Sequence, residues 1–98
     1  MSVIYKYPIK IVDEQTIDMP FGANIISLQM QNGAAVMWAI VNPKANLTSV
    51  KIRIFGTGEE IPSGSALRYI GTIQDRKFVW HVFIDDKVYL NPIAIANV

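Results

Sequence analysis

The chain consists of short segments in which apolar and polar residues alternate, and Gly, Pro, Asn or Asp residues close each segment. A strand that is buried on one face needs this period of two, whereas a helix needs apolar residues at every third or fourth position. No longer stretch of the chain shows the helical period. The pattern therefore predicts an all-β protein of about seven to eight short antiparallel strands, arranged as a β-sandwich or a partly open barrel.

Local signals indicate which strands lie at an edge and which at the centre of a sheet. The first segment, residues 3–11, contains Pro8, which has no N–H to donate, so we expect it at a sheet edge. Asn32-Gly33 is typical of a two-residue hairpin turn because both residues tolerate a positive φ. The segment that follows, residues 35–41, is apolar on both faces and is predicted to be central.

Alternation also assigns side chains to faces. In the segment before the Asn-Gly turn it places Ile26, Leu28 and Met30 on one face. A second hairpin is predicted between residues 67–73 and 78–84.

The composition is unusually apolar for a small soluble domain. The chain has 98 residues, of which 51% are hydrophobic and 17% charged, whereas about 25% charged residues is usual. A single domain of this size, residues 1–90 with a last short strand at 87–90, does not cover so many apolar side chains. We therefore expect a homo-oligomer. The apolar tail, residues 91–98, either contacts a neighbouring subunit, adds a strand to an edge, or is frayed.

Several classes of function are disfavoured. Nine Lys and Arg against eight Asp and Glu leave a net charge of +1, which provides no general basic surface for duplex nucleic acid. The chain has no cysteine, one histidine and scattered carboxylates, so we expect no metal site, no cofactor and no catalysis. It contains neither a signal peptide nor an apolar run long enough for a membrane helix. A cytoplasmic location away from membranes is predicted.

One polar loop is a candidate for binding an anion. In Gly56-Thr57-Gly58 two glycines flank a hydroxyl and free the backbone amides to point outward. Arg53 and Arg68 are close enough in sequence to supply charge-assisted hydrogen bonds. The alternative interpretation of the same residues is a bulged, glycine-rich crossover between two sheets.

Aromatic residues and the imidazole complete the candidate ligand-binding set. Tyr5 and Trp38 are candidates to stack on a nucleotide base, although aromatic residues in small β domains mostly form core. His81 is the single imidazole, and its place between Trp80 and Val82 also fits a hydrogen-bonded sheet residue.

Seven short blocks, in this order, resemble a family of small domains encoded in bacteriophage and prophage genomes. The resemblance covers residues 3–84, and Glu59 departs from it where the relatives have histidine. The blocks are Ile4-Tyr5-Lys6-Tyr7-Pro8, Asp13-Glu14-Gln15-Thr16-Ile17, Met19-Pro20, Trp38-Ala39, Gly56-Thr57-Gly58, Tyr69-Ile70-Gly71-Thr72 and His81-Val82-Phe83.

The resemblance implies a phage context and no assigned activity. Small phage proteins without catalytic residues act by binding, so we expect an accessory, anti-defence-like protein that sequesters a small nucleotide-derived signal of the host. The alternatives are an inhibitor that binds a host defence protein through an edge strand or the tail, and a minor virion component.

Overall fold

The structure is a computed structural model that describes residues 1–86, and these residues form strands, turns and loops without a helix. The predicted last strand at 87–90 and the tail at 91–98 lie outside the described residues. The strands are β1 (Val3–Ile9), β2 (Glu14–Pro20), β3 (Asn24–Gln31), β4 (Ala34–Val41), β5 (Leu47–Gly56), β6 (Leu67–Asp75) and β7 (Phe78–Asp85).

The seven strands form two antiparallel sheets that pack face to face. The three-stranded sheet has the order β1-β4-β3, and the four-stranded sheet has the order β2-β5-β7-β6. Every pairing is antiparallel. The prediction of an all-β antiparallel protein is confirmed, and the arrangement is a sandwich rather than a closed barrel.

The local signals for edge, centre and turn are confirmed. β1 lies at the edge of the three-stranded sheet, where Pro8 is opposite Val36, and β4 is central. Asn32 and Gly33 connect β3 to β4 with φ values of 51° and 80°, the left-handed conformations that this turn requires. The β6–β7 hairpin has its own left-handed residue, Arg76, with a φ of 58°.

The core lies between the inner faces of the two sheets. Met37 of the three-stranded sheet packs against Ile52, Ile54 and Val82 of the four-stranded sheet. Three of these side chains, those of Met37, Ile52 and Val82, have no exposed surface. Closely packed side chains of this kind make a core sensitive to a change of one methylene group.

A β-bulge in β3 changes the face on which Ile26 lies. Ile25 is opposite Ala39 and Ser27 is opposite Trp38, so Ile26 is an extra residue between the two pairs. Ile25 packs against the core, whereas the side chain of Ile26 is 47% exposed. The expectation that Ile26 shares a face with Leu28 and Met30 is wrong, because the bulge shifts the alternation by one residue.

A second register shift, in β6, brings the two sheets together at one side. It lies between Tyr69 and Gly71, and β6 there packs against β3 of the other sheet. A Cβ atom on Gly71 would lie 3.2 Å from Cδ2 of Leu28. The absence of a side chain at Gly71 therefore permits this close approach of β3 and β6.

The connection after β5 crosses within one sheet. β5 and β6 both pair antiparallel with β7, so they run parallel to each other. Residues 57–66 must therefore return along the length of β7 from the end of β5 to the start of β6. The interpretation of the glycine-rich segment as a crossover between two sheets is wrong, because both strands that it joins belong to the four-stranded sheet.

Candidate functional site

The outer face of the four-stranded sheet, the face turned away from the other sheet, carries a chain of hydrogen bonds centred on His81. The Oγ1 atom of Thr57 lies 2.8 Å from Nε2 of His81, and the Oγ1 atom of Thr72 lies 3.0 Å from Nδ1. The hydroxyl of Tyr69 lies 2.6 Å from the same Thr72 oxygen. Both ring nitrogens of His81 thus have a hydroxyl partner, and the four side chains form one polar network.

Strand register explains why these residues meet. Thr72 of β6 is directly opposite His81 of β7, and Phe55 of β5 is opposite His81 on the other side. Directly paired residues share a face, so these three side chains form one row across the sheet. Thr57 comes two residues after Phe55, where the crossover begins. The Thr57–His81 contact therefore attaches the start of the crossover to the outer face.

Three aromatic rings pack beside this network. The rings of Phe55 and Phe83 meet edge to face at 5.8 Å between centroids, and Tyr69 meets Phe83 in the same way at 5.6 Å. Phe55 is 4% exposed, whereas Tyr69 is 58% exposed. Tyr69 thus presents an accessible ring on a buried aromatic base, a geometry suited to stacking with a planar ligand.

Arg53 provides positive charge at the edge of the aromatic cluster. Its Cζ atom lies 5.3 Å from the centroid of the Phe55 ring. Its guanidinium lies 3.7 Å from a carboxylate oxygen of Glu14 and 3.8 Å from one of Asp85. These distances are those of ion pairs without hydrogen bonds. Within residues 1–86, the buried Nε atom of Arg53 has no hydrogen-bond partner.

The glycine-rich loop already holds a carboxylate of its own. The amide N–H of Gly56 donates to Oε1 of Glu59 at 3.1 Å, and the amide of Glu59 donates to the carbonyl of Gly56 at 3.1 Å. The amide most exposed to a ligand in the sequence-based hypothesis is therefore used within the loop. Gly58, with a φ of 89°, provides the left-handed turn that the loop needs.

The structure brings together five of the eight residues predicted from the sequence. Arg53, Gly56, Thr57, Gly58 and His81 lie at or next to the outer face of the four-stranded sheet, at the end of β5 and in the middle of β7.

Arg68 lies apart from this group. It is opposite Ile84, a core residue, so its side chain leaves the sheet on the face opposite to Arg53. Its Nε donates to Oδ2 of Asp86 at 2.8 Å. This hydrogen bond raises the pKa of Arg68 above its ordinary value.

Tyr5 and Trp38 belong to the other sheet and lie on opposite faces of it. Tyr5 is opposite Ala39, a core residue, while Trp38 is opposite Lys6 and points outward. The ring of Tyr5 contacts that of Tyr7 edge to face at 6.4 Å. Neither Tyr5 nor Trp38 is therefore positioned to stack on a ligand held by Arg53.

Sequence reasoning did not include Thr72, Tyr69 or Glu59 in the site. Thr72 and Tyr69 fall on opposite phases of the strand alternation unless a bulge lies between them, and the sequence gives no sign of that bulge beyond Gly71. Glu59 follows Gly56 by three residues, a spacing at which a carboxylate can reach back to a loop amide.

The three-stranded sheet exposes an apolar outer face. Ile4 and Ile40 are directly opposite each other, and they are 59% and 37% exposed. Trp38 and the bulged Ile26 continue the same surface. Lys6 is opposite Trp38, so this apolar outer face, formed by Ile4, Ile26, Trp38 and Ile40, has one basic residue in it.

The described residues contain no cluster of three or more His, Asp or Glu side chains with metal-binding geometry. Nor do they include a helix of the length and apolarity that would let it cross a membrane.

The fold and this surface define a small antiparallel β-sandwich with a polar and aromatic patch on one outer face and an apolar patch on the other. The chain belongs to the family described as a domain of unknown function, DUF7352, whose model matches residues 1–90. The comparisons with curated proteins and with solved structures found no match.

Proposed function

We propose that this chain is a non-catalytic binding protein, an accessory protein of the kind that phages encode, and that it holds a small anionic, nucleotide-derived ligand on the outer face of the four-stranded sheet. The observation that carries the proposal is the grouping of Arg53, the His81 network and the exposed ring of Tyr69 on one face. The phage context is supported by the resemblance of the sequence blocks.

The chemistry of this face suits a nucleotide in three ways. Arg53 has a planar guanidinium whose Nε lacks a hydrogen-bond partner among the described residues, which is the geometry that binds a phosphate group. Tyr69 offers an aromatic face for a base. The hydroxyls of Thr57 and Thr72 are oriented by His81 and remain able to exchange hydrogen bonds with a sugar or a base edge.

The carboxylate of Glu14 modulates this site. It is half exposed and lies 3.3 Å from Nζ of Lys51 as well as 3.7 Å from Nε of Arg53. An exposed carboxylate with ion pairs of this kind contributes little stability. A phosphate group therefore displaces Glu14 from Arg53 at small energetic cost in this proposal.

Titration calorimetry against cyclic nucleotides, ADP-ribose and nucleoside diphosphates tests the proposal. We expect binding of at least one of them, weakened about 10-fold to 100-fold by Arg53→Gln, as for the loss of a hydrogen bond to a charged group. Lys6→Gln is the matched control, because it removes the same charge from the other sheet. Heat signals at background level for every compound in the panel would contradict the proposal.

A second function, binding of a protein of the host, is favoured by the apolar outer face of the three-stranded sheet. Its exposed Ile4, Ile26 and Ile40 side chains form a surface of the kind that proteins use for association. A stoichiometric complex recovered from host lysate by the wild-type chain, and lost with Ile4→Lys, would support this function over ligand sequestration.

A further inference from the structure

β5 is longer than the part of it that β7 covers. β2 pairs with β5 from Leu47 to Arg53, and β7 pairs with β5 from Lys51 to Gly56. Within residues 1–86, the segment 47–50 of β5 is therefore paired with a strand on the β2 side alone. An extended backbone with one unpaired side is a template for a further strand.

A cleft of about 800 Å³ lies at this position. Met19, Ile25 and Val50 line it on the core side, and Met19 is 1% exposed. Phe21, which is 72% exposed, also lines the cleft. An apolar cleft beside an unpaired strand edge fits a strand with alternating side chains better than it fits a polar small molecule.

The described chain ends at the mouth of this cleft. Asp85 is opposite Lys51, and the amide of Asp86, which also lines the cleft, donates to the carbonyl of Ala66 at 2.9 Å. The next residues in the sequence are Lys87, Val88, Tyr89 and Leu90. Four extended residues span about 13 Å, the length of the segment 47–50.

We propose that residues 87–90 continue β7 along β5 of the same chain and close the cleft. This inference is independent of the proposed ligand. Each step down β5 is one step forward on β7, from Ile52 opposite Ile84 to Lys51 opposite Asp85. The same register places Lys87 opposite Ser49 and Val88 opposite Thr48.

The side chains of this segment match that register. Val50 and Ile52 face the core, so Thr48 does too, and Val88 and Leu90 then point toward the apolar lining of the cleft. Lys87 falls on the outer face, in the row that contains Ser49 and its partner Asp18. Unlike charges in one row of a sheet are favourable.

The backbone of β5 provides a direct test. The amide of Ile54 donates to the carbonyl of Asp13, on the β2 side, so the amides of alternate residues, including Val50, point toward β2. The amide of Ser49 points to the opposite side, toward the proposed strand. Hydrogen exchange measured by NMR on the full chain should therefore show Ser49 protected to a degree comparable with Val50. Exchange of Ser49 at the rate of an open chain would overturn the proposal.

Two matched variants provide a second test. Val88→Asp places a charge in the apolar cleft and should lower the thermal midpoint by roughly 5–10 °C. Tyr89→Asp, on the outer face of the same strand, should change it by less than half as much. Equal effects would contradict the register. If Ser49 is protected only at concentrations where light scattering gives a dimer, the strand comes from a second copy, and the assignment to the same chain is wrong.

Discussion

The Oγ1 atom of Thr57 lies 2.8 Å from Nε2 of His81, and this contact joins the first residue of the 57–66 crossover to the middle of β7. The connection has to travel back along β7 because β5 and β6 run parallel. A hydrogen bond at its start selects the outer face of the sheet for that path. It also fixes the position of the imidazole beside the aromatic cluster.

We therefore expect Thr57→Val to loosen the crossover. The valine has nearly the same shape but leaves Nε2 of His81 without a partner, which should lower the free energy of unfolding by about 0.5–1.5 kcal/mol. Urea denaturation measures this loss, and limited proteolysis should show faster cleavage within 57–66. Thr16→Val, on exposed β2, is the control and should change neither quantity. An unaltered cleavage rate in Thr57→Val would mean that the contact does not hold the crossover.

Gly71 and Leu28 should be energetically coupled. A Cβ atom at position 71 would lie 3.2 Å from Cδ2 and 3.5 Å from Cβ of Leu28, so Gly71→Ala should push β3 and β6 apart and cost about 1 kcal/mol. Leu28→Ala removes the opposing atoms. In a double-mutant cycle, the cost of Gly71→Ala should therefore fall in the Leu28→Ala background. Strictly additive free energies of unfolding would show that the two sheets do not meet at this pair.

The two tryptophans should respond differently to substitution. Trp80 packs against the core, stacks on Phe78 at 5.8 Å and lies 3.4 Å from the position of a Cβ on Gly56. Trp80→Ala should thus cost about 3 kcal/mol. Trp38, on the outer face of the three-stranded sheet, should cost less in stability and alter association instead. Thermal unfolding compares the two variants, and a larger loss for Trp38→Ala would reverse this assignment.

Much of the fold follows from local sequence, since a period of two, Pro8 and the Asn32-Gly33 turn each impose a backbone geometry on their own. The bulges do not follow in this way. Ile25 and Ile26 are both apolar, so either one fits the core, and only the pairing with Trp38 and Ala39 decides between them.

The candidate site was harder to predict for the same reason. Arg53 and Arg68 are both basic residues in strands, and strand register alone places them on opposite faces. Thr57 and His81 are 24 residues apart. Their contact depends on the path of the crossover, which the sequence pattern assigned to the wrong pair of strands.

The apolar outer face of the three-stranded sheet predicts self-association that a single charge disrupts. Ile4 lies on the edge strand, directly opposite Ile40, and is 59% exposed. Ile4→Lys therefore places its charge in solvent within one copy but at the centre of a contact between two copies, where an unpaired charge is strongly unfavourable. Light scattering should give a multiple of 11.0 kDa for the wild type and a single-copy mass for the variant. Val12→Lys, at a position that is 42% exposed in the β1–β2 connection, is the matched control and should keep the wild-type mass. A wild-type mass of one copy across the concentration range would mean that this face contacts something other than itself.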